Sequence, residues 1–462
     1  MVELRLDDIA RRMGGILLQG DPGRLFRTFS LDSRRTASGD LFFAVAAVRD
    51  GHDFVNDARL RGAGGAVVSR GVDVPDASFG LVRVPDTVDG LQRLASETLR
   101  RQGVRVVGIT GSTGKTTTKE FAAELLGGRF RVLKSAGNYN NHLGLALSLL
   151  NLEAGHNLAV LEMAMSGADE IRRLTRVAPP DIAVITNVSP VHLAFFKNLE
   201  DIASAKAEIL EGTKPGGTAV LNGDDPLVRK AAVAWKGGLI RFGLSEGCDV
   251  RAEGVRFRGL EGVEFILSCG GARMNVSLPF FAEAFVLNFL AAVGAALALG
   301  LSPEDLRPRF GLLRPLPQRG ALLRLRGGRA VIDDSYNSNP RALESALRGA
   351  ALLPAARRVA VLGDMLELGP SEAEFHRAAG RLVAQLDFGL LVTIGPLALH
   401  MAEGAVEAGL EPGRVLSFPD AGRAAADLPP LLRRGDLVLV KGSRGVHLEI
   451  VVDGLRDGLK EM

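Results

Sequence analysis

An α/β protein of three domains is what this sequence predicts, on three observations. The chain has 462 residues, about three domains at the usual domain size. Two long stretches alternate continuous apolar runs with helical patterns, the signature of strands crossed over by helices. At the head of the first stretch a glycine-rich segment stands between a strand and a helix. The expected boundaries are 1–101 for an α/β N-terminal domain, 102–311 for a central domain with a mainly parallel sheet, and 312–462 for a Rossmann-like C-terminal domain.

In the first domain, Gly39 to Val45 reads as a turn entering a strand, and a Gly/Ala-rich segment follows at Gly62 to Val68. A helical pattern over Val88 to Arg101 closes it. In the second, strands are predicted at Val104 to Thr110, Leu158 to Met163, Ile182 to Thr186 and Thr218 to Leu221. Helices between and after them cover Lys115 to Leu126, Leu143 to Leu150, Ala203 to Leu210 and Pro226 to Ala234. Strands this continuously apolar are buried on both faces. Residues 248–280 read as additional β-structure. Leu312 to Arg319, with its prolines, is the linker. Beyond it, strands are predicted at Ala330 to Ile332, Arg358 to Leu362, Gly389 to Thr393 and Leu437 to Val440.

A net charge of +3 is too slight to argue for nucleic acid, and no basic block is interleaved with aromatics. Two cysteines, Cys248 and Cys269, fit a reducing compartment and make no zinc site. The N-terminus is charged, unlike a secretory leader. The apolar run Phe285 to Leu301 contains Asn288 and falls short of the ~20 residues a bilayer span needs, so it is expected as a buried helix. The protein is expected in the cytoplasm, as a monomer.

The strongest chemical signal is G-I-T-G-S-T-G-K-T-T-T-K-E, Gly108 to Glu120. Glycines let successive backbone N–H groups turn inward around a polyphosphate. Gly111, Ser112, Thr113 and Gly114 would form that cradle, with Thr117 in the first helical turn. Lys115 meets the β- and γ-phosphates and the Thr116 hydroxyl sits on Mg²⁺. The helix adds its positive end. Ile109 stands where the common P-loop pattern has its first glycine, so a generic GTPase or kinase loop is not the best match. The central domain is thus expected to be P-loop ATPase-like.

Glu162 ends an apolar strand and His192 follows another. Ligands of open α/β sheets bind at the carboxyl ends of strands. There the two either complete a metal shell begun by Thr116 or are a surface carboxylate and a turn residue. Lys206, on a helix, reads by spacing as a solvated lysine. D-D-S-Y-N-S-N-P, Asp333 to Pro340, either binds a ribose or caps a helix through Asn339 and Pro340. Lys441 to Glu449 follows a strand and offers Lys441 and Arg444 as an anion site.

These segments, with N-Y-N-N-H-L-G (Asn138 to Gly144) and L-N-G-D-D-P (Leu221 to Pro226), resemble the Mur ligases, ATP-dependent amide-forming enzymes of peptidoglycan synthesis. The resemblance runs nearly end to end. D-S-R (Asp32 to Arg34), G-D-L-F and D-G-H-D-F are similar to the family's UDP-binding first domain. D-S-Y-N-S-N-P, L-G-D-M-L-E-L-G (Leu362 to Gly369) and K-G-S-R-G are similar to its last.

The resemblance implies that ATP binds the Gly111–Thr117 loop together with Asn138, Asn141, Asn288, Asp334, Tyr336 and Asn339. Two Mg²⁺ ions are implied, with Thr116, Glu162, His192 and a carbamylated Lys206 as ligands. Lys115, His192 and Lys206 are the implied catalytic residues. Ser33 and Arg34 would meet the UDP moiety, and Lys441, Ser443 and Arg444 the peptide or the transferred phosphate. The implied substrates are a UDP-N-acetylmuramoyl-tripeptide and D-alanyl-D-alanine. One departure stands out: many members carry H-N-x-x-N in the helix that contacts adenine, whereas this chain reads A-F-V-L-N over Ala284 to Asn288, leaving Phe285 to pack on the base.

A ligase adding the third residue as meso-diaminopimelate would carry D-N-P-R, which is absent here. Folylpolyglutamate synthase shares the ATP core but lacks the first domain. A non-catalytic nucleotide-binding protein would not need Lys115, Glu162, His192 and Lys206 together.

Overall fold

A computed structural model describes residues 3–191, 193 and 195–459. It contains three principal sheets, one in each expected domain, and a two-stranded ribbon.

The N-terminal sheet has five strands in the order Ile16–Gln19, Gly80–Arg83, Gly65–Val68, Leu41–Phe43, Phe29–Ser30. All neighbours are parallel except Ile16–Gln19, an antiparallel edge. The helix Leu6–Met13 buries Leu6, Ile9, Ala10 and Met13, a single face at helical spacing. The helix Thr87–Gln102 starts where the Asp86 carboxylate accepts from Asp89 N–H and stops at Gly103, whose φ of 63° ends it.

The central sheet has nine strands, ordered Ala272–Leu278, Val263–Cys269, Val250–Phe257, Gly238–Gly243, Thr218–Asn222, Ile182–Ile185, Arg105–Thr110, Leu158–Glu162, Val132–Lys134. Leu158–Glu162 runs parallel to both its neighbours, with every residue buried. The mainly parallel sheet is mixed at the other edge, where the additional β-structure expected over residues 248–280 lies. There Val250–Phe257, Val263–Cys269 and Ala272–Leu278 form an antiparallel meander. Burial alternates along it, as it does when only one face of a sheet is covered. The helix Glu283–Ala298 buries ten consecutive or near-consecutive residues from Val286 to Ala296. That is the pattern of a core helix, and among the described residues no helix is long and apolar enough to cross a membrane.

The C-terminal sheet runs Ala321–Leu325, Arg329–Asp333, Asp436–Lys441, Arg357–Gly363, Leu390–Ile394, Val415–Phe418. All pairs are parallel except the first. The last strand of the chain inserts between Arg329–Asp333 and Arg357–Gly363, pairing Asp333 with Val440. The segments that leave Asp333 and Lys441 are therefore neighbours at the carboxyl edge of the sheet, where such folds bind ligands.

By compactness the chain divides into two units: Met1–Thr110 with Leu126–Val184 and Glu208–Ala219, and Gly111–Leu125 with Ile185–Ala207 and Val220–Met462.

Candidate nucleotide-binding site

The glycine-rich loop leaves the strand Arg105–Thr110 and enters the helix Lys115–Leu126. Its backbone needs glycine at two places. Gly111 has φ 148°, and a Cβ there would fall 1.8 Å from Thr186 Oγ1. Gly114 has φ 81°, and its Cβ would fall 2.2 Å from Asn288 Oδ1. Neither conformation nor space admits a side chain.

The loop is braced from behind by Thr186 to Ser189. Ser112 N–H donates to Asn187 O at 2.9 Å. Thr113 N–H donates to Asn187 Oδ1 at 3.1 Å, and Thr186 Oγ1 to Thr113 O at 2.6 Å. Ser189 N–H donates to Ser112 Oγ at 2.9 Å, and Ser112 Oγ donates to Ser189 O at 3.1 Å. Lys115 Nζ curls back on the loop, donating to Gly111 O at 2.7 Å and Ser112 O at 3.3 Å. An anionic oxygen would hold this ammonium more strongly than neutral carbonyls do.

Lys206 lies on the helix Leu199–Glu211 and is 2 % exposed, so it is not the solvated lysine that spacing suggests. Burial, and then the like charge of Lys115, push its pKa well below 10.5. An amine so placed favours its neutral form.

Glu162 ends its strand in register with Ile109 and is 2 % exposed. Its Oε1 accepts from Asn140 Nδ2 at 2.8 Å and its N–H donates to Ser135 Oγ at 3.3 Å. Asn140 was not singled out from the sequence, although it lies inside the N-Y-N-N-H-L-G run. Asn141 was singled out, and its Oδ1 caps the helix His142–Leu150, accepting from Leu143 and Gly144 N–H. Asn138 is exposed. His192 lies outside the described residues. Among the described residues no group of three His, Cys, Asp or Glu forms a metal cluster.

Asn288 packs against Gly114 and accepts from Thr118 Oγ1 at 3.3 Å. Phe285, expected to pack on adenine, stacks on Phe280 with centroids 4.9 Å apart and planes 9° apart. At least one face of its ring is therefore taken by protein.

In the C-terminal sheet, Asp334 and Lys441 meet: Nζ donates to Oδ2 at 2.6 Å and to Asn337 O at 2.9 Å. Lys441 is 3 % exposed. Its ammonium thus serves the Asp334–Asn337 turn. Ser443 is also internal, its Oγ accepting from Leu366 N–H at 2.9 Å. Asn339 Oδ1 caps the helix Pro340–Ala351, with Pro340 in its first turn, so the capping alternative holds for that oxygen. The guanidinium groups of Arg319 and Arg444 lie over the Tyr336 ring, 4.0 and 5.5 Å from its centre. Arg444 also bonds Gln318 and Glu449.

In the N-terminal domain, Arg34 is exposed and grips Asp32 through two bonds of 2.9 and 2.8 Å. Those bonds lower the Asp32 pKa to about 2. Ser33 beside them is buried.

The chain is similar to known proteins over nearly its whole length. The profile of the Mur ligase middle domain matches residues 109–296, and that of the Mur ligase glutamate ligase domain matches residues 318–444. The UDP-N-acetylmuramoyl-tripeptide–D-alanyl-D-alanine ligase of Bacillus subtilis (strain 168) is 33% identical over 458 residues, covering 98% of this chain and 99% of that protein. The chain belongs to the Mur ligase family. Among solved structures, MurF from Acinetobacter baumannii superposes on this Mur ligase with a TM-score of 0.90 at 29% identity, covering 99% of each chain. MurF from Thermotoga maritima, solved in complex with ADP, has a TM-score of 0.82 at 32% identity, covering 94% of this chain and 97% of its own.

Proposed function

We propose that this Mur ligase joins D-alanyl-D-alanine to a UDP-N-acetylmuramoyl-tripeptide, with ATP as the activating substrate, in the cytoplasm and as a monomer. The observation that carries the reading is likeness from end to end, first domain included, to proteins that bear this name.

ATP lies with its phosphates in the Gly111–Thr117 cradle. Lys115 exchanges the carbonyls of Gly111 and Ser112 for β- and γ-phosphate oxygens. Asp334, Tyr336 and Asn339 approach the nucleotide from the C-terminal domain, and the lock between Lys441 and Asp334 supports that segment. Asn138, Asn141 and Asn288 belong to the nucleotide side by family likeness. Ser33 and Arg34 meet the UDP moiety. Lys441, Ser443 and Arg444 lie toward the peptide or the transferred phosphate.

The free carboxylate of the tripeptide attacks the γ-phosphorus and ADP leaves, giving an acyl phosphate. The neutral amine of D-alanyl-D-alanine then attacks the acyl carbon. Phosphate leaves from the tetrahedral adduct, and the amine's proton is lost to solvent or a base. The chain must gather several anions and align them, so charge neutralisation and positioning are its main contribution.

The family implies Mg²⁺, and the chain offers a donor set that suits it. Thr116 brings a hydroxyl, Glu162 a buried carboxylate held by Asn140, His192 an imidazole. Oxygen donors are the ordinary choice of this ion. Lys206, buried and with its pKa pushed down toward the neutral amine, can add to CO₂ through that amine, losing a proton and becoming a carbamate with two oxygen donors. When bound, the metal neutralises phosphate charge.

The test is phosphate release with UDP-N-acetylmuramoyl-tripeptide and a panel of amine donors. Turnover is expected with D-alanyl-D-alanine and not with glutamate or a single amino acid. Preference for a single amino acid would point to another member of the family. No turnover with any donor would favour a binding protein.

A further inference from the structure

Asp225 lies in the L-N-G-D-D-P turn and is 3 % exposed. Both its oxygens are used. Oδ1 caps the helix Pro226–Ala231, accepting from Leu227 N–H at 3.0 Å and Val228 N–H at 3.2 Å. Oδ2 accepts from Val188 N–H at 2.9 Å and from an Arg341 nitrogen, Nη1, at 3.2 Å. The same Nη1 donates to Val188 O at 3.1 Å. Arg341 therefore grips both polar groups of the Val188 environment: the carbonyl directly, and the carboxylate that holds its N–H.

Val188 sits in the middle of Thr186 to Ser189, the segment whose other side braces Ser112 and Thr113 of the glycine-rich loop. Arg341 itself follows Asn339 and Pro340 at the start of the helix Pro340–Ala351. A short bonded path thus joins the Asp334–Asn339 segment to the phosphate cradle, through Arg341, Val188 and Asn187. We propose that Arg341 is a positioning residue that fixes the spacing between these two nucleotide-facing segments. It touches no reacting atom.

The arginine side chain is 47% exposed while its partner Asp225 is 3% exposed. Water can therefore replace the arginine at Asp225 in a shortened variant, and the fold is expected to survive. What is lost is the fixed distance between the segments, which binding must then restore for each nucleotide. This inference rests on the reading that ATP occupies the cradle, so the experiment includes a binding measurement that needs no turnover.

Arg341→Ala and Arg341→Lys are compared with wild type by steady-state kinetics, by calorimetric titration with Mg-ADP, and by melting temperature. In Arg341→Ala, KM for ATP and the dissociation constant for ADP are expected to rise about fivefold or more. KM for the tripeptide and for D-alanyl-D-alanine should stay within twofold. Arg341→Lys should recover part of the loss, since one ammonium can still bridge Val188 O and Asp225. Nucleotide parameters within twofold of wild type in Arg341→Ala would overturn the proposal. So would an equal rise in all three KM values with a lowered melting temperature, the mark of a merely structural residue. If the alanine variant does not fold, Arg341→Gln replaces it under the same criteria. Wild-type protein that binds ADP but releases no phosphate would refute the ligase reading while leaving the calorimetric test of Arg341 intact.

Discussion

The side-chain amide of Asn140 donates to Glu162 Oε1 over 2.8 Å, between residues 22 positions apart in the chain. A carboxylate at a strand end is free to rotate about its side-chain torsions; an amide donor on one oxygen fixes its plane. Partners of this kind set the orientation of metal ligands.

Asn140→Ala is accordingly expected to raise the Mg²⁺ concentration for half-maximal activity by about tenfold. Asn140→Asp, which sets carboxylate against carboxylate, should do more harm. A Mg²⁺ titration of phosphate release checks both, and an unchanged midpoint in each variant would remove Glu162 from the metal shell.

Lys115 bonds the carbonyls of its own loop. Lys115→Ala should lower phosphate release by about 10²–10³-fold or more, the effect of deleting a charge that faces developing negative charge. Circular dichroism and melting temperature should stay near wild type. Retained turnover would remove the loop from the chemistry.

Lys206 carries a pH signature. Its folded pKa lies well below 10.5, so between the two values the unfolded chain binds the extra proton. Folding stability then rises with pH across that window and reaches its full value above the unfolded pKa. In CO₂-free buffer, Lys206→Met should melt above wild type at pH 7, and the gap should close as pH approaches 10. A gap independent of pH would mean that the amine is charged in the fold.

The carbamate has its own test. Lys206→Ala should lose activity and partly regain it with added acetate or formate, whose carboxylate supplies the missing oxygens. Isotopically labelled CO₂ should give a carbamate carbon resonance in wild type that is absent from the variant.

Gly114→Ala would place a methyl group 2.2 Å from Asn288 Oδ1 at a positive φ. Strain of this kind costs about 1–3 kcal/mol, and the loop would shift to relieve it. ADP affinity should fall, as read by calorimetry. The double variant Gly114→Ala/Asn288→Ala should recover only the steric part, because φ stays unfavourable.

Much of the fold was legible because its signals are local. A run of buried β-branched and aliphatic residues declares a strand, as in Leu158–Glu162, and a capping residue before a proline declares a helix start, as at Asn339 and Asp225. The strands Ala321–Leu325 and Val415–Phe418 are not among those predicted from the sequence; both are short, lie at sheet edges and are only partly covered. The antiparallel edge of the central sheet was seen as extra β-structure, but its direction depends on partners.

Within the site, the sequence by itself determined the glycine-rich loop, Lys115 and the strand-end Glu162, since backbone torsion and strand position leave traces in consecutive residues. Only the tertiary structure decided that Lys441 holds Asp334, that Asn140 rather than Asn141 touches Glu162, and that Arg341 reaches Val188 and Asp225. Those pairs lie 107, 22, 153 and 116 residues apart. A polar side chain offers the same donors wherever it stands. Which acceptor it meets is set by how strands insert and helices pack, and the residue's own neighbours in the chain carry no record of that.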